Sequence, residues 1–142
     1  LHLGGLLRWA AERHGERVFV ECAGVSRTFI EADRAANRAA NGLAALGAGP
    51  GAKVAIMAAN SLAFVDAWLG TARAGAVSVP INTDYKGDIL RYQLAKADVT
   101  HIVIDPQFLE RIDAVVEGLP KLRHAILTAS PAASPRLSNG GI

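Results

Sequence analysis

The sequence predicts an α/β fold, a mostly parallel sheet with helices on both faces. Three observations carry that reading. Apolar runs of strand length recur at Lys53 to Ala58, Val77 to Pro80, His101 to Ile104 and His124 to Leu127, and segments with helical spacing lie between them. The strand runs are apolar almost throughout instead of alternating, the pattern of strands buried on both faces. Hydrophobic residues make up 51% of the 142 residues and charged residues 20%, enough for a core and far from the composition of a disordered chain. Such alternation joins parallel strands through right-handed crossovers.

The elements follow in order. Leu3, Leu6, Leu7 and Ala10 recur at helical spacing and predict an amphipathic helix ending near His14 and Gly15. Val18 to Cys22 reads as a strand, Ala23 to Ser26 as a turn, and Arg27 to Phe29 as a strand returning in a hairpin. Thr28 and Glu31 form a Thr-x-x-Glu capping box, in which hydroxyl and carboxylate each take a free backbone N–H. The next helix carries Ala32, Ala35, Ala36, Ala39, Leu43 and Leu46 on one stripe, with Arg34, Asn37, Arg38 and Asn41 opposite. Its small alanines let it lie close to a sheet, and Gly47, Gly49, Pro50 and Gly51 stop it.

After the Lys53 strand, Asn60 or Ser61 caps a helix from Leu62 to Ala74 that turns Leu62, Val65, Trp68, Leu69 and Ala72 inward, with Gly75 as its stop. Asp88 is expected to cap a helix running through Lys96. Asp105-Pro106 opens another, because proline suits the first helical position; its stripe is Leu109, Ile112, Val116 and Leu119, and Pro120 ends it. The organisation expected is one α/β subdomain over 1–128 and a linker or loop over 129–142, where Ser, Pro, Ala and Gly dominate.

Composition excludes several function classes. Fifteen basic against 13 acidic side chains leave a formal charge of +2, scattered along the chain, which gives nucleic-acid binding little support. The longest apolar region, Leu62 to Ile81, is interrupted by Asp66, Gly70 and Arg73, so no membrane span is expected. Cys22 is the only cysteine; it excludes an internal disulfide, favours a reducing, cytoplasmic setting, and reads as a small buried hydrophobe. The chain opens at Leu1 with no signal segment and no initiator methionine, the only methionine being Met57, which suggests a partial sequence.

Candidate chemistry is sparse. Gly47-x-Gly49-x-Gly51 has glycine-loop spacing, but it follows a helix and opens a strand, the reverse of a phosphate-binding turn, and so reads as a helix stop. Ala59-Asn60-Ser61 is better placed, at a strand's carboxyl end and a helix's start, where backbone N–H groups can hold an anion; the plainer role for Ser61 is a cap. His2, His14, His101 and His124 have no spacing that would put two ligands on one helix face. Asp84, Tyr85, Lys86 and Asp88 make a polar loop that could line a cleft, although a solvated connector is the commoner explanation. Phe64 and Trp68 read as core. No residue is assigned a catalytic, cofactor-binding or metal-ligating role.

The order of segments resembles the adenylate-forming, AMP-binding acyl-CoA synthetases and ligases, over approximately Leu6 to Leu127. The residues that carry the resemblance are TFIEA from Thr28, the Gly-Pro-Gly turn at Gly49 to Gly51, KVAIMAANSLAFVDAWLGTARAG from Lys53, and VSVPIN from Val77. Within that family INTDYKGDILRYQLAKAD looks most like carnitine- or crotonobetaine-type ligases. The resemblance implies the first subdomain of the family's large N-terminal domain. It further implies a parent enzyme that uses ATP, Mg2+ and coenzyme A to activate a small-molecule carboxylate in fatty acid or related metabolism. The phosphate loop and catalytic lysine of that family lie downstream of the region covered, so this chain is expected to bind no cofactor by itself and to have the downstream remainder of the polypeptide as its partner. The alternatives are a free-standing flavodoxin-like nucleotide-binding module and an interaction-only fragment.

Overall fold

The computed structural model describes residues 2–128, so the linker expected over 129–142 lies outside the described residues. The elements run α1 (Leu3–His14), β1 (Val18–Cys22), β2 (Val25–Thr28), α2 (Phe29–Ala45), β3 (Lys53–Met57), α3 (Leu62–Arg73), β4 (Val77–Pro80), α4 (Gly87–Lys96), β5 (His101–Ile104), α5 (Leu109–Asp113) and β6 (His124–Leu127). Strands β3 to β6 form one all-parallel sheet in the order β4-β3-β5-β6, and β1 and β2 form a separate antiparallel hairpin.

The parallel sheet is covered on both faces, as the apolar runs require. On one face Val54, Ile56 and Val103 pack with Leu43 of α2 and Ala67 of α3. On the other, Ala55, Met57, Ile102 and Ile104 pack with Leu90 and Leu94 of α4 and Ile112 of α5. A third cluster joins Leu7 of α1 to Ala32 and Ala36 of α2 and Leu69 of α3, so α1 lies outside the α2–α3 layer. β3 is the centre: Val54 to Ala58 are all buried.

Local chemistry explains the boundaries. The capping box is complete, with Glu31 N–H donating to Thr28 Oγ1 at 3.2 Å and Thr28 N–H to Glu31 Oε2 at 2.8 Å. At the other end of α2, Gly47 adopts φ 83°, which lets its N–H reach Ala44 O and the Ala48 N–H reach Leu43 O, closing the helix with the paired bonds of a Schellman motif. Pro50 and Gly51 (φ 85°) then turn the chain, closed by Ala52 N–H to Gly49 O at 3.0 Å.

The α2–α3 contact is set by small side chains. A methyl group added at Gly70 would run into the Ala39 methyl and lie 3.1 Å from Ala40 N. Beside this contact, the Arg73 guanidinium donates to Asp33 Oδ1 (2.5 Å), Asn37 Oδ1 (2.7 Å) and Gly4 O (2.8 Å), tying α3 to α2 and to α1. The hairpin is tied to α3 by the Arg27–Asp66 ion pair.

Several expectations are corrected. The hairpin turn is only Ala23-Gly24, both at positive φ, and β2 starts at Val25, not Arg27; Phe29 already belongs to α2. Lys86, not Asp88, precedes α4; Asp88 sits in its first turn and pairs with Arg91. The helix expected from Pro106 is broken into a 3-10 turn (Pro106–Phe108), the short α5 and a second 3-10 turn (Val116–Gly118), so Val115 is buried and Val116 is 42% exposed. Leu6, Leu46 and Trp68 also face out; Trp68, at 39% exposure, points away from the Gly70 side of α3 that meets α2. Phe64 packs against the α2–α3 face of the sheet as expected.

Gly70→Ala tests the close approach. Helix propensity alone would favour alanine by about 1 kcal/mol, but overpacking against Ala39 and Ala40 is expected to leave the variant roughly 1–3 kcal/mol less stable in urea unfolding.

Candidate functional site

In an open parallel sheet the ligand position lies outside the carboxyl ends of the strands, where the strand order reverses. Here β3 leads to β4 on one side while β5 lies on its other side, so the switch falls between β3 and β5. The segments meeting there are the loop after β3, Asp105 after β5 and Thr128 after β6.

These groups are bonded to one another. The Asp105 carboxylate accepts the Ala59 N–H at 2.8 Å through Oδ2 and the Thr128 hydroxyl at 2.5 Å through Oδ1. Ser61 caps α3, its Oγ taking the Phe64 N–H at 3.1 Å, and the Cys22 thiol donates to Asn60 O at 3.3 Å. Ser61 is therefore the cap of the two candidates, and Ala59-Asn60-Ser61 is a clamped turn. A carboxylate already on the Ala59 N–H opposes an incoming phosphate at that position.

The loop after β4 is held in a comparable way. Arg111 donates to Thr83 O and Tyr85 O, with its guanidinium also over the Phe108 ring at 4.9 Å. Asn82 Oδ1 accepts the Asp84 N–H at 2.9 Å, and Tyr85 packs against the core. The polar loop at Asp84, Tyr85, Lys86 and Asp88 is thus a fastened connector. Asp105 and Arg111 lie within one short stretch of chain and together fasten the loops after β3 and β4.

Sequence reasoning missed both roles. Asp105 was legible only as the start of a helix, although an acidic residue directly after a buried parallel strand is a signal for a group at the switch point. Arg111 carries no local signal, because its partners stand 28 and 26 residues away.

The other candidates are structural. His101 opens β5 and is 2% exposed; its Nε2 lies 2.9 Å from Leu46 O, a carbonyl that can only accept, so Nε2 carries a proton and Nδ1 faces the Thr100 hydroxyl at 2.8 Å. His124 stacks on it at 5.2 Å. Among the described residues no three His, Cys, Asp or Glu side chains come together as a metal-ligand group. Cys22 is half-buried.

A cleft of about 120 Å3 lies at the opposite, amino end of the sheet, lined by Leu94, Val99, Leu119 and Pro120, with Asp98 and Lys121 at its rim. Those two pair at 2.7 Å, and the Lys121 ammonium holds the Asp98 carboxyl below its ordinary value, first by the hydrogen bond and then by charge. The cleft is apolar and has no reactive group.

A family sequence model described as "AMP-binding enzyme" matches residues 7–139. The chain is 33% identical over 110 residues to a medium/long-chain-fatty-acid–CoA ligase of Mycobacterium tuberculosis, covering 78% of this chain and 18% of that one. It is 32% identical over 113 residues to a crotonobetaine/carnitine–CoA ligase of Salmonella paratyphi A, covering 76% and 22%. The fold superposes on the solved N-terminal domain of FACL13 of Mycobacterium tuberculosis with a TM-score of 0.84, at 27% identity over 99% of this chain and 39% of that one. The chain thus spans about a fifth of the length of these two curated relatives.

Two outcomes follow from the clamps. Asp105→Ala is expected to cost about 1–3 kcal/mol and to speed amide exchange at Ala59, whereas Asp105→Asn, which keeps an acceptor, loses less; both are read by hydrogen exchange and thermal melting. Lys121→Ala is expected to move the Asp98 carboxyl back up toward its ordinary value in an NMR titration. Asp98's folded value is depressed, so whatever stability the pair gives is present above the unfolded value and fades as pH falls through the folded one.

Proposed function

We propose, from the premise that the chain belongs to the AMP-binding enzyme family, that it is the N-terminal section of an ATP-dependent acyl-CoA ligase and is inactive alone. In the whole enzyme a carboxylate oxygen attacks the α-phosphorus of ATP; the bond to the β-phosphate breaks, giving acyl-adenylate and pyrophosphate. The thiol sulfur of coenzyme A then attacks the acyl carbon and AMP leaves. ATP, Mg2+ and coenzyme A belong to that larger assembly, and residues 1–128 act as its first α/β subdomain, with 129–142 leading onward.

The observation that carries this reading is the closure of the carboxyl-end surface upon itself. The Ala59 N–H is taken by Asp105, the Phe64 N–H by Ser61, and the Thr83 and Tyr85 carbonyls by Arg111. A free-standing nucleotide module needs such groups open for its ligand. Curated relatives with ligase names and several times this length support the same reading. Among the described residues no helix is long and apolar enough to cross a membrane, and a cytoplasmic setting belongs to the proposal.

The second reading, a flavodoxin-like nucleotide-binding module, is favoured by one observation, the strand order with its switch point between β3 and β5. Calorimetric titration of the folded 142-residue chain with Mg-ATP separates the two. No heat of binding and no pyrophosphate release with fatty or aromatic acids are expected. One-site binding would replace the fragment reading with the module.

A further inference from the structure

Two imidazoles meet at the amino end of the sheet. His101 opens β5 in register with Val54 of β3 on one side and His124 of β6 on the other, so all three side chains lie on the α2–α3 face. The two rings are stacked, with 5.2 Å between centroids and 24° between planes. His101 is 2% exposed, whereas His124 faces water. Among the described residues β6 pairs with β5 alone.

The buried ring is bonded so that it loses no hydrogen bond by gaining a charge. Its Nε2–H donates to Leu46 O at 2.9 Å, a carbonyl at the C-terminal end of α2, where the helix dipole favours a cation. Nδ1 lies 2.8 Å from Thr100 Oγ1, which in turn is 3.2 Å from Lys53 O. One hydroxyl proton therefore has two acceptors. On a neutral ring it points to Nδ1; on a charged ring Nδ1–H donates to Oγ1 and the hydroxyl proton turns to Lys53 O. Lys53 O keeps the Thr100 N–H at 2.9 Å in either state.

His124 limits that freedom. Among the described residues no carboxylate pairs with either ring. Lys53, one residue before Val54, and Arg123, one before His124, are turned by strand alternation to the α4–α5 face. On that face Asp98 and Lys121 pair with each other. On the α2–α3 face, Asp66 and Arg73 of α3 are taken up by Arg27 and Asp33, and Arg38, the charged residue of α2 nearest to Leu46 in sequence, is exposed. A second positive charge on the stack thus meets the first across 5.2 Å with nothing negative to offset it. β6, held on one edge, is the strand that gives way.

We propose that the His101–His124 stack is a proton-sensitive latch on the amino end of β6, closed with one charge or none on the pair and released when both rings are charged. The closed form holds one proton fewer than the open form, so the latch weakens as pH falls through the range in which imidazoles charge. Release bares the His101 ring and the Leu46 carbonyl to water.

Amide hydrogen exchange of the 142-residue chain, divided by the intrinsic rate at each pH, tests this. At the amino end of β6 the Arg123 N–H donates to Thr100 O (2.8 Å); at the carboxyl end the Thr128 N–H donates to Ile104 O (2.9 Å). Opening at Arg123 is expected to rise by up to about tenfold per pH unit between roughly pH 7 and roughly pH 5, with Thr128 unchanged. His124→Phe keeps a ring on β6 and removes its charge, and its Arg123 opening is expected to stay flat. His124→Gln, polar and uncharged, is expected to do the same and serves where the Phe variant folds poorly. A flat profile in the unaltered chain overturns the proposal. An equal rise at both ends of β6, which is global unfolding, also overturns it, as does a rise that survives in either folded variant.

Discussion

The structure depends on the burial of β3 from both sides. Val54 to Ala58 are apolar and out of water on either face, so neither helical layer can be omitted without exposing half of the strand. That single requirement sets the order of events along the chain: α2 and α3 must lie on one face, α4 and α5 on the other, and β3 must have partners on both edges. The close contact of Gly70 with Ala39 and Ala40 belongs to the same constraint, because two helices must share the width of a narrow sheet. Once they lie that close, their outer surface forms the shelf on which Leu7 and Arg73 seat α1.

At the carboxyl end of the sheet the same economy has a chemical side. Loops that follow parallel strands carry free donors and acceptors, which binding proteins direct at ligands. In this chain a carboxylate and a guanidinium, six residues apart in sequence, satisfy groups in the loops after β3 and β4 and hold Thr128 as well. The surface is therefore organised but inward-looking. Such a surface supports the proposal that the chain is a part of an enzyme whose site is built elsewhere.

Much of the fold was legible in the sequence, and the exceptions are instructive. Thr28, Glu31, Ser61 and Gly75 act through neighbours a few residues away, so their roles could be read directly. The strand runs announced a parallel sheet because burial on both faces leaves no alternation. Spacing alone, however, could not say which side of a stripe meets a neighbour. Trp68, Leu6 and Val116 fall at helical intervals yet face solvent, since the packing of α1 and the break after Asp113 are tertiary facts. The clamps were invisible for the same reason: Asp105 reaches back 46 residues to Ala59, and no window of sequence spans that distance. The absence of an assigned reactive residue followed from motif order instead, as did the family resemblance.

The Arg73 hub has a consequence for the order in which the chain acquires structure during synthesis. Its partners Gly4, Asp33 and Asn37 all precede it, so every contact of the guanidinium is available once Gly75 has left the ribosome. α1, α2 and α3 can then form a helical platform before α4 or β5 exists, with β3 covered on one face and temporarily bare on the other. Domains assemble from the amino terminus as translation proceeds. The nascent chain is expected to present its Ala55–Met57 face as a transient chaperone site until α4 closes over it.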